Sequence, residues 1–211
     1  MGDALPCPAG DGDNGRMASS GSVIVLAGGT SRRFGSDKLA ALLADGQSVL
    51  DRCLVGMPDG WPLVVVGPSR VVPSSVADRV QFVRESPAGS GPLAGVAAGV
   101  AAVTTDLVCV VAGDTPQAGK ALPLLVSALE ADLAVDAVVA GDGDGEGDGQ
   151  ANPLLAAYRT ETLRGGVLDS PENRPARSLL SLAHSVLRVG DQARDVDTPE
   201  DLASLRRTLG S

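Results

Sequence analysis

Short, wholly apolar runs punctuate this chain, and longer stretches of mixed apolar and polar residues separate them. Residues 23–27, Val-Ile-Val-Leu-Ala, form the first such run. A strand buried on both faces reads this way, without the alternation of a half-exposed one. The run at 63–66 is a second strand of the same kind, 80–83 a weaker third, and 107–112 the strongest of all. Further strands are read at 137–140, 154–158 and 185–189. Helices are read between them at about 48–56, 92–103, 120–131, 160–168, 175–183 and 198–209, the one at 92–103 built of small residues. Strands that alternate with helices predict an α/β domain with a mainly parallel sheet and helices on both faces. In such sheets ligands bind outside the carboxyl ends of the strands.

Two segments fall outside this pattern. Residues 1–21 are rich in Gly, Pro, Asp and Ser and carry no apolar periodicity, and they are read as a disordered tail. Residues 141–150 alternate Gly with Asp and Glu, without the spacing or terminal Glu of a calcium loop. They are read as a flexible acidic loop between two strands. The remainder, 22–211, is long enough for one domain with a single substantial core.

Composition narrows the functions open to such a domain. The formal net charge is −9, which argues against nucleic acid as a partner, because that requires clustered cations. No apolar run reaches membrane-spanning length, and there is no basic start followed by an apolar stretch, so the reading is a cytoplasmic protein without a membrane partner. The three cysteines, Cys7, Cys53 and Cys109, lack metal-like spacing and fit a reducing compartment. His184 is the only histidine, which excludes a histidine-rich metal site; the residue reads as a histidine on an ordinary helix. Aromatic residues make up 2% of the chain, too few for base stacking to be a major binding device.

Four motifs carry candidate chemistry. The first is Leu26-Ala27-Gly28-Gly29-Thr30-Ser31-Arg32-Arg33-Phe34-Gly35-Ser36-Asp37-Lys38, directly after the first strand. Adjacent glycines let backbone N–H groups approach phosphates, and Arg32, Arg33 and Lys38 add positive charge. The spacing matches neither a dinucleotide fingerprint nor a P-loop. The second is Asp114, in Gly113-Asp114-Thr115-Pro116 at the end of the strongest strand. A carboxylate there is ionised at neutral pH, its ordinary pKa being about 3.9. Facing phosphates, it calls for a cation between them, and Mg²⁺ commonly joins one or two carboxylates to substrate phosphates. The third is Glu85 followed by Ser90-Gly91-Pro92-Leu93-Ala94-Gly95, where Ser90 or Gly91 would cap a helix with Pro92 in its first turn. The fourth is Asp195-Val196-Asp197-Thr198-Pro199-Glu200-Asp201-Leu202. Thr198 and Asp201 are spaced close to a capping box, which leaves Asp197 only partly explained.

The first motif resembles the L-A-G-G-x-S-x-R-M-G-x-D-K signature of the molybdenum cofactor guanylyltransferase family, with Phe34 in place of Met. The others resemble that family's C-D-x-P, G-P-L-A-G and N-V-N-T-P-E-D-L segments. Asn152-Pro153-Leu154-Leu155-Ala156-Ala157-Tyr158-Arg159 resembles its P-L-x-A-x-Y-R strand, and Arg177-Ser178-Leu179 its later R-S-L helix. Together these cover about 23–209. The resemblance implies a three-layer, mainly parallel, Rossmann-like sheet of the nucleotide-diphospho-sugar transferase type. It implies a nucleotide site made by Leu26, Ala27, Gly28, Gly29, Lys38, Glu85, Gly91, Pro92 and Asp114, and catalytic roles for Lys38, Arg33 and Asp114. It implies Mg²⁺ held by Asp114 and Asp197, with Asp195 the alternative second ligand. The implied reaction moves GMP from GTP to the phosphate of molybdopterin, with release of pyrophosphate, in a monomer or weak homo-oligomer. Other readings stay open: use of CTP or another nucleotide, a sugar-phosphate acceptor, or a non-catalytic nucleotide-binding module.

Overall fold

A computed structural model describes residues 21–29, 37–141 and 150–209 of the chain. The segments read as tail and acidic loop therefore lie almost wholly outside the described residues, as does the stretch 30–36 with Arg33. Seven strands form one sheet: β1 (Ser22–Leu26), β2 (Leu63–Val66), β3 (Val80–Val83), β4 (Leu107–Ala112), β5 (Ala137–Gly141), β6 (Ala151–Arg159) and β7 (His184–Arg188). Their order across the sheet is β3-β2-β1-β4-β6-β5-β7. Every pairing is parallel except the two made by β6, which runs antiparallel to β4 and to β5.

The apolar runs are continuous because both faces of the central strands are covered. Val23, Val25, Leu63, Val65, Cys109 and Val111 point to one face, where α1 (Val49–Val55) and α4 (Leu122–Ala131) pack with Leu50, Leu54, Leu122, Leu125 and Leu129. Ile24, Val64, Val66, Val108 and Val110 point to the other, under α3 (Pro92–Ala102) with Leu93, Val96 and Val100. All the core leucines of those three helices are fully buried, and burying one is worth about 1.5–3 kcal/mol. Gly99 sets how closely α3 can approach: a Cβ there would lie 2.6 Å from Ile24 Cγ2. A third, smaller cluster joins Leu43 and Val49 to Val196 and to Leu202 of the last helix, here numbered α6 (Pro199–Leu209).

Several elements differ from the sequence reading. A helix α2 (Ser74–Ala77) precedes β3, and four residues are too few to show a period. The helix read at 160–168 begins as α5 (Thr160–Thr162) and widens through Leu163–Val167, where Gly165 and Gly166 leave helical dihedral angles. The helix read at 175–183 is a six-residue 3-10 turn, Ala176–Ser181. His184 is not on a helix but is the first residue of β7, in register with Ala137. Strand pairing overrides local preference here: the Asp136 N–H donates to the Ala183 carbonyl at 2.7 Å, and β7 continues that ladder. β6 starts three residues earlier than 154, since Ala151 and Asn152 pair with Gly141 and Ala140 of β5. Among the described residues no helix is long and apolar enough to cross a membrane.

Candidate active site

The carboxyl ends of β1, β2 and β4 lie side by side, and a cleft of about 320 Å³ opens beyond them. β1 ends into Ala27-Gly28-Gly29, so the glycine backbone forms one wall. Gly67 follows β2, and a side chain there would meet that wall: a Cβ would sit 2.7 Å from the Ala27 carbonyl oxygen. β4 ends into Gly113-Asp114, with the Gly113 N–H donating to the Leu26 carbonyl at 2.9 Å. α3 contributes its amino end, with Gly91 at the N-cap and Pro92 beginning the helix.

Most of the residues expected at the site meet in this cleft. Leu26, Gly28, Gly29, Lys38, Glu85, Gly91, Pro92 and Asp114 all line it. Ala27 does not: it is buried beneath the loop, and its N–H donates to the Val66 carbonyl at 2.8 Å. Glu85 accepts the Gly89 N–H at 2.9 Å, so its carboxylate closes a turn as well as facing the cleft. Val66, Ala112 and Leu154 add an apolar lining that the motif reading missed. Val66 and Ala112 are the last residues of β2 and β4, at the carboxyl ends where a ligand was expected, and Leu154 joins them because β6 runs antiparallel and brings its amino-terminal half to the same edge.

Lys38 and Asp114 line the cleft, and Lys38 Nζ joins Asp114 to Asp197, which lies outside the cleft lining. Nζ contacts Asp114 Oδ2 and lies 2.8 Å from Asp197 Oδ1. Burial alone would lower the Lys38 pKa, but the hydrogen bonds and negative charge of Asp114 and Asp197 outweigh it and raise the pKa above the ordinary lysine value. The ammonium is therefore fully charged at neutral pH. Lys38 and Asp197 are each held by a local device. Asp37 caps the short turn Lys38–Ala40 by accepting the Leu39 N–H at 3.1 Å. Arg70, beyond β2, reaches the other oxygen of Asp37 at 3.4 Å. Arg70 belongs to no motif in the sequence reading, and only the fold brings it to Asp37.

Asp197 is fixed by the start of α6. Asp201 Oδ2 accepts from the Asp197 N–H, the Thr198 N–H and the Thr198 hydroxyl, at 3.2, 2.8 and 2.7 Å. The Asp201 N–H in turn donates to Thr198 Oγ1 at 3.2 Å, completing the capping box read from the sequence. The Val196 N–H donates to the Asp114 carbonyl at 2.9 Å, which stitches this segment to the end of β4. Asp195 is exposed to solvent near both carboxylates. Desolvation first, then the charges of Asp197 and Asp114, raise its pKa above the usual carboxylate range.

A divalent cation fits this donor set. Asp114 Oδ1 is buried and has no hydrogen-bond partner, and Asp114 and Asp197 already share one cationic group. Among the described residues no three His, Cys, Asp or Glu side chains cluster as a metal cage. An ion such as Mg²⁺ takes one or two carboxylates and completes its shell with water and phosphate oxygens. Arg33 lies outside the described residues. Arg177 is exposed on the 3-10 turn and does not line the cleft.

Among α/β proteins, a glycine-walled cleft at the carboxyl ends of the strands with a lysine beside it suits a protein that binds nucleotide phosphates, and the family match makes the class a nucleotidyltransferase. Similarity to known proteins narrows the class. The family model described as the MobA-like NTP transferase domain matches residues 23–189, and the chain belongs to this family, that of the molybdenum cofactor guanylyltransferases. A probable molybdenum cofactor guanylyltransferase from Chloroflexus aggregans is 34% identical over 151 residues, 67% of each chain. The crystal structure of molybdopterin-guanine dinucleotide biosynthesis protein A from Archaeoglobus fulgidus superposes with a TM-score of 0.61 at 21% identity, covering 90% of this chain and 98% of that one. The 2-C-methyl-D-erythritol 4-phosphate cytidylyltransferase from Thermus thermophilus superposes with a TM-score of 0.65 at 18% identity, covering 91% and 100%. The sheet is thus of the nucleotide-diphospho-sugar transferase type.

Proposed function

We propose that the protein transfers GMP from GTP to the phosphate of molybdopterin and releases pyrophosphate. The observation that carries this reading is the placing of Lys38 and Asp114 in a cleft walled by Gly28 and Gly29, with Asp197 paired to Lys38 beside it. The choice of guanine and of molybdopterin rests on the names carried by the Chloroflexus and Archaeoglobus proteins.

In this scheme the backbone at Gly28 and Gly29 receives the β- and γ-phosphates. Lys38 and Arg33 stabilise the charge that grows on the α-phosphate, and Asp114 with Asp197 would hold Mg²⁺. The ion would supply charge neutralisation between the phosphates. An oxygen of the acceptor phosphate forms a bond to the α-phosphorus. The bond from that phosphorus to the α–β bridging oxygen breaks, and its electron pair leaves with pyrophosphate. The acceptor's second pKa is about 6, so it is largely ionised at neutral pH and needs no general base. That suits a chain whose one histidine lies on β7, outside the lining of the cleft. Catalysis then rests on alignment and on charge stabilisation.

Thermal unfolding in the presence of Mg²⁺ with GTP, CTP or a UDP-sugar tests the donor. A ligand that binds only the folded state raises Tm. GTP is expected to give the largest rise. A larger rise with CTP would move the assignment to a cytidylyltransferase, and no rise with any nucleotide would overturn the reading.

A further inference from the structure

The ion pair beside the cleft has a consequence for how a metal could enter. Lys38 Nζ contacts Asp114 Oδ2 and Asp197 Oδ1, the two side chains proposed above to hold Mg²⁺. An ammonium and a divalent ion cannot share those oxygens, because two cations a few ångströms apart in a partly buried site repel strongly. Lys38 also cannot stay between the carboxylates and at the same time place its charge against the α-phosphate of a bound nucleotide.

We propose that Lys38 is the resident cation of the metal site, and that it leaves Asp114 and Asp197 for the phosphates only when metal and nucleotide arrive together. The inference rests on the metal assignment made under the proposed function. Its elements are local. Without nucleotide, Lys38 neutralises part of the charge of Asp114 and Asp197, and so lowers their attraction for a free divalent ion. The triphosphate offers the ammonium a new anionic partner. Asp114 and Asp197 are then released to the ion, and Asp114 Oδ1, buried and unpaired, is a further oxygen ready for it. Lysine suits such a move, since its charge sits on a flexible four-carbon stem. The expected order is a metal–nucleotide complex binding as one unit, with weak binding of the metal alone.

Titration of the nucleotide-free protein with Mn²⁺, followed by the paramagnetic resonance of the free ion, tests this directly. Lys38→Met and Lys38→Gln remove the charge and are expected to bind Mn²⁺ about tenfold or more tightly than the wild type. Lys38→Arg keeps the charge and is expected to bind as weakly as the wild type. Adding Asp114→Asn to Lys38→Met should abolish the gained affinity. Circular dichroism of each variant establishes that the chain is folded, and the Gln variant serves if the Met variant is not. If the uncharged variants bind Mn²⁺ no more tightly than wild type while Asp114→Asn still weakens binding, the exchange is wrong and the metal site stands. If Asp114→Asn leaves Mn²⁺ binding of Lys38→Met unchanged, the metal site itself is wrong.

Discussion

Lys38 and Asp197 are 159 residues apart in sequence, yet Lys38, which lines the cleft, brings its Nζ within 2.8 Å of Asp197 Oδ1. The first residue follows the strand β1 and the second precedes the last helix, so the site closes only when both ends of the domain are in place. Lys38→Ala is expected to lower kcat by roughly a hundredfold with a smaller rise in the nucleotide KM, because the ammonium meets the triphosphate on binding and acts most strongly on charge that grows in the transition state. Steady-state kinetics at saturating acceptor separates the two constants. A change confined to KM would make Lys38 a binding residue only.

Asp114→Asn keeps the shape of the side chain and removes its charge. Turnover is expected to fall by at least about a hundredfold, in the range seen when a charge-stabilising group is lost from an active site. Nucleotide binding should also lose its dependence on Mg²⁺. Calorimetric titration with GTP, with and without the metal, reads both effects. Unchanged metal dependence would remove Asp114 from the metal site.

Packing of α3 on the sheet has a specific weak point. Ile24 is fully buried, and a side chain at Gly99 would overlap it. Gly99→Val is therefore expected to destabilise the protein by about 1–3 kcal/mol or more, the usual cost of forcing extra carbons into a packed core. Urea denaturation should show a lower midpoint with an unchanged slope. An unshifted midpoint would mean that α3 moves away from β1 without cost.

The cap that orients Asp197 should report on pH. Hydrogen bonds from the Thr198 hydroxyl and N–H, with that from the Asp197 N–H, hold the Asp201 pKa below the ordinary carboxylate value. A depressed folded pKa gives stability that is present above the unfolded value, near 3.9, and is lost as pH falls through the folded one. Asp201→Ala is expected to cost about 1 kcal/mol at neutral pH, a typical loss for a helix cap. The difference between variant and wild type should shrink below about pH 4. Thermal unfolding across pH 3–7 measures it, and a difference independent of pH would assign the cost to something other than the ionised cap.

Much of this architecture was legible in the sequence, for identifiable reasons. β1, β2 and β4 are covered on both faces, so their residues had to be apolar throughout, and the runs marked them. The Thr198–Asp201 cap has a spacing fixed by one helical turn, and it formed as read. Gly28, Gly29, Lys38 and Asp114 could be placed at one site because each follows a strand that ends at the same edge of the sheet. What the sequence concealed depends on contacts between distant segments. Nothing local told that β6 runs antiparallel between β4 and β5, or that His184 begins a strand by pairing beside Ala137. Nothing local linked Arg70 to Asp37 or Lys38 to Asp197. Leu154 in the apolar wall was equally hidden, since only the antiparallel course of β6 brings it to the cleft.

The transfer reaction itself gives the most direct measurement. Purified protein is incubated with molybdopterin, Mg²⁺ and, in separate reactions, GTP, CTP, ATP or UTP labelled at the α-phosphorus. The account predicts that label from GTP enters the pterin product, with one pyrophosphate released per label transferred, and that Lys38→Ala and Asp114→Asn both suppress it. Transfer from another nucleotide in preference to GTP, or no transfer from any of the four, would contradict it.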